Sequence, residues 1–393
     1  MNIQSTYYNL KGDRSVWLIV ALLSLFSMLI VYSTSGSEAY KYNATHGTEY
    51  YLIRQLVFIG AGLTLMYTAY KLHYMVYAKL APILMVIATP LLVYTALFGE
   101  KINDASRWIK IPILELSFQT SDFAKIALIM FVAKSLAVKQ DYIKSFKDAF
   151  LPIIAPVLLF CALIAPSNLS TAALLFVTAF IMMFVGRISM KYVILLMVLG
   201  VAVFAGIFIV GQYFPDHFRV DTWLTRINDF LYSDGGYQIQ QSKVAIAEGG
   251  FLGVGPGNSN QRNFLPFAYA DFIYAIICEE YGFLGGAFLL LLYLWLLFRT
   301  ISLVTRSPKT FGAMLAMGLM LNIVITAFAN IAVSVKLVPA TGLTLPMISM
   351  GGTSFMFTCL SFGIILSVSR YVEQAYEERK QLEKMELDGA SDH

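Results

Sequence analysis

An all-α integral membrane protein is the fold class that this chain predicts, on three observations. Hydrophobic residues make up 58% of its 393 positions and charged ones only 13%, against about 45–50% and 25% in soluble domains. Its mean hydropathy is +0.69. Apolar runs recur at about the 20 residues that a helix rising ~1.5 Å per residue needs to cross a hydrocarbon core of ~30 Å. The short alternating segments of a membrane β-barrel do not occur.

The runs fall at about 15–34, 52–70, 77–98, 119–137, 149–165, 170–187 and 191–213, and after a long interval at 271–298, 311–333 and 348–369. The first is followed by small residues in "LIVYSTSGSEAY" and so imitates a signal peptide. Its span of about 19 residues exceeds the ~7–15 of a signal h-region, which makes it a retained helix. About ten transmembrane helices put both termini on one side. Lys11, Arg14, Lys134, Lys139, Lys144, Lys147, Arg187, Lys191, Arg299, Arg306 and Lys309 mark that side as cytoplasmic by the positive-inside rule.

The same topology leaves Lys101, Arg107, Lys110, Arg219, Arg226, Lys243 and Arg262 outside, against the charge bias. Cations retained there suit phosphates or the headgroups of anionic lipids. A net charge of +4 follows from topology and implies no nucleic acid. Cys161, Cys278 and Cys359 form no CxxC and indicate neither a metal site nor a disulfide framework.

Residues 1–370 read as one polytopic membrane domain, with a large extracytoplasmic loop at about 212–270 between helices 7 and 8. Residues 371–393 form a charged cytoplasmic tail, helical to about Met385. Loops this long are usually functional or disordered. Tyr213, Phe214, Phe218, Trp223, Phe230, Tyr232, Tyr237 and Phe264 argue for short interfacial helices in the long loop. The loop at 99–117 has the same basic and aromatic mixture. The glycines of "EGGFLGVGPGN" suit a tight turn that lets backbone approach a ligand or another helix. "PATGLTLPMISMGGTS" reads as a broken or re-entrant segment, tolerated at membrane depth only inside protein or along a cavity.

Charges inside apolar runs are costly and mark function or compensation. Lys125 follows Asp122 at i−3, a spacing that also allows the two to neutralise each other. Arg54 lies near enough to the outer interface to snorkel. Glu279 and Glu280 must face protein or a polar cavity, with Lys125 or an arginine as expected partners. Asp271 precedes a long apolar helix, where aspartate is a preferred N-cap. It also stands at the outer surface, where a carboxylate within reach of a hydroxyl acts as a general base.

Four blocks, "FQTSDFAKIALIMFVAK", "GYQIQQSKVAIAEGGFLGVGPGN", "FLPFAYADFIYAIICEEYGFLGG" and the segment from Pro339 to Arg370, resemble in order and spacing the signature blocks of the SEDS family of bacterial cell-wall proteins. The resemblance covers nearly the whole chain. It is strongest toward the division-type members found in Bacteroidota. It implies an extracytoplasmic peptidoglycan glycosyltransferase in the bacterial inner membrane, at the division septum, that polymerises lipid II by inverting transfer. Asp271 falls on the family's essential aspartate. Lys125 and Asp122 match its lysine block, the aspartate standing for a glutamate. Gln238, Gln241 and Ser242 match a further block, as do Pro346, Ser349, Gly351 and Gly352.

Departures are Phe267, Tyr269 and Ala270 for a usual Glu, His and Thr, Met350 for Tyr, and "PSNLSTA" for a block that carries an acid. The resemblance makes Arg107, Lys110, Arg219, Arg226, Lys243 and Arg262 candidates for the pyrophosphate of undecaprenyl-linked substrates, with Arg107 and Arg226 first. A divalent cation (Mg or Mn) is an optional cofactor there, without a dedicated ligand cluster. Implied partners are a class B penicillin-binding protein and other divisome proteins. A lipid II flippase, a non-catalytic division scaffold and an elongation polymerase stay open as alternatives.

Overall fold

The computed structural model describes residues 11–41, 48–102, 105–111, 116–213, 220–233, 235–266 and 268–391. Twelve α-helices occur among them: α1 Arg14–Lys41, α2 Thr48–Lys71, α3 Tyr74–Phe98, α4 Thr120–Val138, α5 Leu151–Ile164, α6 Leu169–Val185, α7 Met190–Tyr213, α8 Val220–Tyr232, α9 Gly236–Gly249, α10 Ile273–Arg306, α11 Thr310–Ser334 and α12 Thr353–Ser391. Each apolar run of the sequence corresponds to one of them. Two more, α8 and α9, fold from the long loop. Among the described residues seven helices are long and apolar enough to cross a membrane, and α6 and part of α7 are shorter apolar segments.

Helix α4 carries Asp122, Lys125 and Lys134, and its position explains how it bears them. It packs against α3, α5, α6 and α11 and is buried through most of its length. Its charges are thereby screened from lipid by protein. Helix α11 is buried likewise. These two form the centre of the bundle.

The 99–117 loop departs from the all-helical expectation. Strands β1 Glu100–Ile102, β2 Ala105–Ile111 and β3 Leu116–Gln119 form an antiparallel sheet in the order β1-β2-β3, with Trp108 opposite Gln119 and Ile109 opposite Phe118. Strand β3 runs directly into α4, so the sheet sets the height at which Asp122 and Lys125 enter the bundle. Thr353 Oγ1 donates to the Ser117 carbonyl at 3.0 Å, tying the start of α12 to the same strand.

Elsewhere the turn before α1 meets α10 and the middle of α12. Arg299 grips Asp13 through Nε and an NH2 group, both at 2.7 Å, and the amides of Gly12 and Asp13 donate to Glu373 and Ser369. Helix α12 continues past Arg370 without a break and ends at Ser391, beyond the expected Met385.

The glycine-rich loop meets a helix. Gly282 interrupts α10 with φ 67° and ψ −166°, freeing carbonyls that a regular helix would satisfy internally. The amides of Val254 and Gly255 donate to the carbonyls of Glu279 and Glu280, and Phe283 N donates back to Gly250. The loop is thereby laced into the gap in α10.

Candidate active site

Helix α10 starts at Ile273 with Phe272 as its cap residue, so Asp271 lies in the turn just ahead of it. Asp271 is half-buried and borders a cavity of about 370 Å3 that is also lined by Asp122, Lys125, Arg54, Arg226, Gly351 and Gly352. Lys125 Nζ pairs with Asp122 Oδ1 at 2.7 Å, with side chains 19% and 5% exposed. Pairing and a place on the cavity wall therefore coexist. Asp122 Oδ2 and Asn322 Oδ1, both on this wall, are buried polar atoms without a hydrogen-bond partner. Such atoms are costly to leave unsatisfied, and both belong to residues that border the cavity.

The broken segment between α11 and α12 forms much of the wall, and four side chains hold it. Asn330 Nδ2 donates to the carbonyls of Asp271 at 2.8 Å and Leu343 at 2.6 Å. Ser349 Oγ donates to the Ala270 carbonyl at 2.6 Å and accepts from Leu345 N at 2.8 Å. Tyr293 donates to the Pro346 carbonyl and Ser27 to that of Ile348. Irregular backbone at this depth thus finds its partners within the protein, as the absence of water requires. A Cβ built on Gly342 would lie 3.5 Å from Asp271 Oδ2, which sets the segment directly beside the carboxylate.

Asn330 is 1% exposed and, together with Ser349, joins the Asp271 turn to this segment. Replacing it by Ala leaves two carbonyls without that donor. A loss of about 1–3 kcal/mol in thermal or denaturant stability is expected, together with reduced activity in any assay that depends on the Asp271 position. Stability unchanged within error would show that Asn330 bears none of this load.

Several residues matched to the family's blocks lie elsewhere. Ser242 is 0% exposed and donates to the Ser334 carbonyl at 2.8 Å, so it docks α9 on α11 and has no surface for a substrate. Ser349 is buried by its two backbone contacts and positions the wall. Gln238, Gln241 and Lys243 are on α9 and do not line the cavity, Lys243 being exposed. The side chains of Arg107 and Lys110 lie outside the described residues, as do Arg219 and Phe267. Arg262 donates to the Ser33 carbonyl at 2.8 Å.

Glu279 and Glu280 do not pair with Lys125, which is occupied by Asp122. Glu279 accepts from Ser259 Oγ at 2.5 Å, Asn260 N at 2.7 Å and Gln261 N at 3.2 Å. Glu280 accepts from Ser33 Oγ. Both serve the loop ahead of Asp271, because backbone donors in that turn need an acceptor where water is scarce. Arg54, expected only to snorkel, sits on the cavity wall, and so do Trp108 and Asn168, which the sequence did not single out. Nor did it single out Asn330. Arg54 carried a signal, a lone charge within an apolar run, and Asn168 lay in the "PSNLSTA" block that departs from the family's acid-bearing one. Among the described residues Asp122 and Asp271 are the carboxylates on the wall, and no three His, Cys, Asp or Glu side chains gather as a metal site.

A helical bundle with several long apolar helices around a polar, mixed-charge cavity defines a multi-pass membrane protein. The family model for FtsW/RodA/SpoVE cell cycle proteins matches residues 13–374, and the chain belongs to that family. Stage V sporulation protein E of Bacillus subtilis (strain 168) is 35% identical over 364 residues, spanning 91% of this chain and 97% of its own. A probable peptidoglycan glycosyltransferase FtsW of Geobacter sp. (strain M18) is 34% identical over 366 residues, spanning 91% and 96%. Among solved structures, a chain from work on the structural coordination of polymerization and crosslinking by a peptidoglycan synthase complex superposes with a TM-score of 0.71 at 26% identity, covering 92% of this chain and 98% of that one. The rod shape determining protein RodA of Thermus thermophilus shares the fold at a TM-score of 0.66 and 23% identity, covering 92% and 98%.

Proposed function

We propose that this chain is a peptidoglycan glycosyltransferase that polymerises lipid II into β-1,4 glycan at the outer face of the bacterial cytoplasmic membrane, in septal wall synthesis. The observation that carries this is the placement of Asp271 on one cavity wall with Lys125, Arg54 and Arg226. The relatives named as FtsW glycosyltransferases support the same reading.

Asp271 takes the proton of the C4 hydroxyl of the GlcNAc on an incoming lipid II. That oxygen bonds to C1 of the MurNAc at the reducing end of the growing chain. The C1–oxygen bond to undecaprenyl pyrophosphate breaks with its electron pair. Attack opposite the leaving group converts an α-linked donor to a β bond, with one base and no covalent intermediate. Negative charge develops on the departing pyrophosphate, where fixed cations replace a general acid. Arg226 and Arg54 are suited to that work, and Lys125 to the sugar or the phosphate. Two wall carboxylates, one already bound to Lys125, do not make a cation cage, and no step here runs through a metal. A class B penicillin-binding protein as partner is supported by the likeness to a chain from a peptidoglycan synthase complex.

The test is polymerisation of purified lipid II by the reconstituted protein with its class B partner, glycan length being read on a gel. Long glycan supports the reading. Transbilayer movement of labelled lipid II without any glycan would replace it with a flippase.

The ion pair gives a second expectation. Lys125→Met alone strands the Asp122 carboxylate and should cost about 3 kcal/mol of stability. Asp122→Asn with Lys125→Met should recover most of that loss while polymerisation stays low. A double variant with full activity would show that the pair is structural only.

A further inference from the structure

A cavity of about 490 Å3 opens where the turn before α1 meets the last turns of α10 and the middle of α12. It shares no lining residue with the Asp271 chamber. The positive-inside rule puts it at the cytoplasmic ends of these helices, because Arg14, Arg299 and Arg306 are among the residues that set the orientation. Four cations line it, Arg14, Arg299, Arg306 and Lys380, against the carboxylates of Asp13, Glu373 and Glu377.

Two of the three acids are already engaged. Asp13 is held by Arg299 at 2.7 Å, and Glu373 accepts from Gly12 N at 2.6 Å. Arg14, Arg306 and Lys380 are exposed, and among the described residues none of the three forms an ion pair or a side-chain hydrogen bond. Arg299, Ser302 and Arg306 recur at i, i+3 and i+7 and so share one face of α10, which sets a hydroxyl between two guanidiniums. Cations gathered in a concave site focus a positive potential and suit the oxygens of a phosphate.

The surroundings choose the source of that phosphate. Leu18 stands one turn above Arg14, about 6 Å along α1, and is exposed, as are Phe298 and Ile301 on α10. The two helices pack against each other, so the cationic mouth lies at the foot of the apolar faces of both. A soluble phosphate meets only the cations, whereas a phospholipid meets both surfaces. We propose that this cavity is a headgroup site for an anionic phospholipid of the cytoplasmic leaflet, with its phosphodiester between Arg14, Ser302 and Arg306 and its acyl chains against Leu18, Phe298 and Ile301. Basic pockets between membrane helices on that side recruit such lipids. The bound lipid bridges three helices distant in sequence and stabilises by mass action the fold that holds it.

The test takes the full-length protein in a neutral detergent and counts bound lipid by native mass spectrometry, with the melting temperature read alongside. Phosphatidylglycerol is expected to be retained ahead of phosphatidylcholine and to raise the melting temperature. Arg306→Gln should weaken its binding about fivefold, and adding Arg14→Gln and Lys380→Gln should weaken it further, each cation near the surface contributing a factor of about five. A variant with Lys144→Gln, Lys147→Gln and Lys191→Gln removes the same charge from exposed positions of other cytoplasmic segments and should leave binding unchanged. Glu377→Gln acts in the opposite sense. It removes a carboxylate that opposes the phosphate and should tighten binding, a gain that no loss of folding imitates.

Equal retention of phosphatidylcholine overturns the proposal, and so does an unchanged affinity in Glu377→Gln. An equal loss in the Lys144, Lys147 and Lys191 variant makes the attraction diffuse and also overturns it. Inorganic phosphate giving the same rise in melting temperature at the same concentration replaces the lipid by a soluble anion. Displacement of phosphatidylglycerol by a poly-glutamate peptide at lower concentration turns the cavity into a docking point for an acidic protein segment. Glycan is not read at any step, so the outcome is independent of the polymerase reading.

Discussion

Asp271→Asn is expected to abolish glycan synthesis, lowering the rate by about a hundredfold or more, while the protein still folds and binds its partner. The amide is nearly isosteric with the carboxylate and cannot accept the hydroxyl proton. The substitution leaves in place the backbone carbonyl that Asn330 holds, as well as the helix start, whose cap residue is Phe272. Loss of activity with an unchanged melting temperature thus isolates the proton transfer. Equal polymerisation by both forms would reduce Asp271 to a structural residue of the turn and send the search for the base elsewhere. A large fall in stability would show that the carboxylate mainly braces its surroundings.

The second large effect is expected at a distance from the cavity. Gly253 has φ +86°, and a Cβ there would sit 2.2 Å from the Glu280 carbonyl oxygen. Backbone on both sides leaves nothing flexible to yield. Gly253→Ala should cost about 3 kcal/mol or more, exceeding the ~1–3 kcal/mol typical of overpacking, because strain in φ adds to the clash. Gly257 is a built-in control, with φ +79° and nothing within 4 Å of the position a Cβ would take. Its Ala variant should lose only about 1–2 kcal/mol, the conformational part. Thermal unfolding in detergent compares the two directly. Equal losses would contradict the lacing of the loop into the gap at Gly282. The Gly253 variant should also lose polymerisation, since Glu279 organises the residues from Ser259 to Gln261 that lead toward Asp271.

Helices were legible residue by residue because crossing a bilayer is a local demand, met by about 20 apolar residues in a row whatever surrounds them. Helices α8 and α9 were legible for a related reason, their aromatic residues being spread through a stretch too long to be a plain connection. The sheet was not, since three short strands carry little periodic signal and their pairing is decided by partners outside each strand. Asp271, Asp122, Lys125 and Arg226 drew notice as charges where charge is expensive or against the topogenic bias, and the structure gathers them on one cavity. Gln238, Gln241 and Lys243 sat in a matching block yet lie off that cavity, because block membership does not state which face of α9 turns inward.

By itself, then, the order of residues determined the solvent, the approximate limits of the apolar helices, the glycine-rich approach to a helix and the broken segment ahead of α12. Each is a property of a short window read against hydrocarbon or backbone sterics. Tertiary structure alone decided that Glu279 serves loop amides, that Ser242 and Ser349 are consumed by carbonyls, that Arg54 reaches the cavity, and that Asn330 clamps the Asp271 turn to the Leu343 carbonyl. Those outcomes depend on which groups, distant in sequence, are brought within about 3 Å of each other, and inside a membrane a buried polar group takes whatever partner the packing supplies.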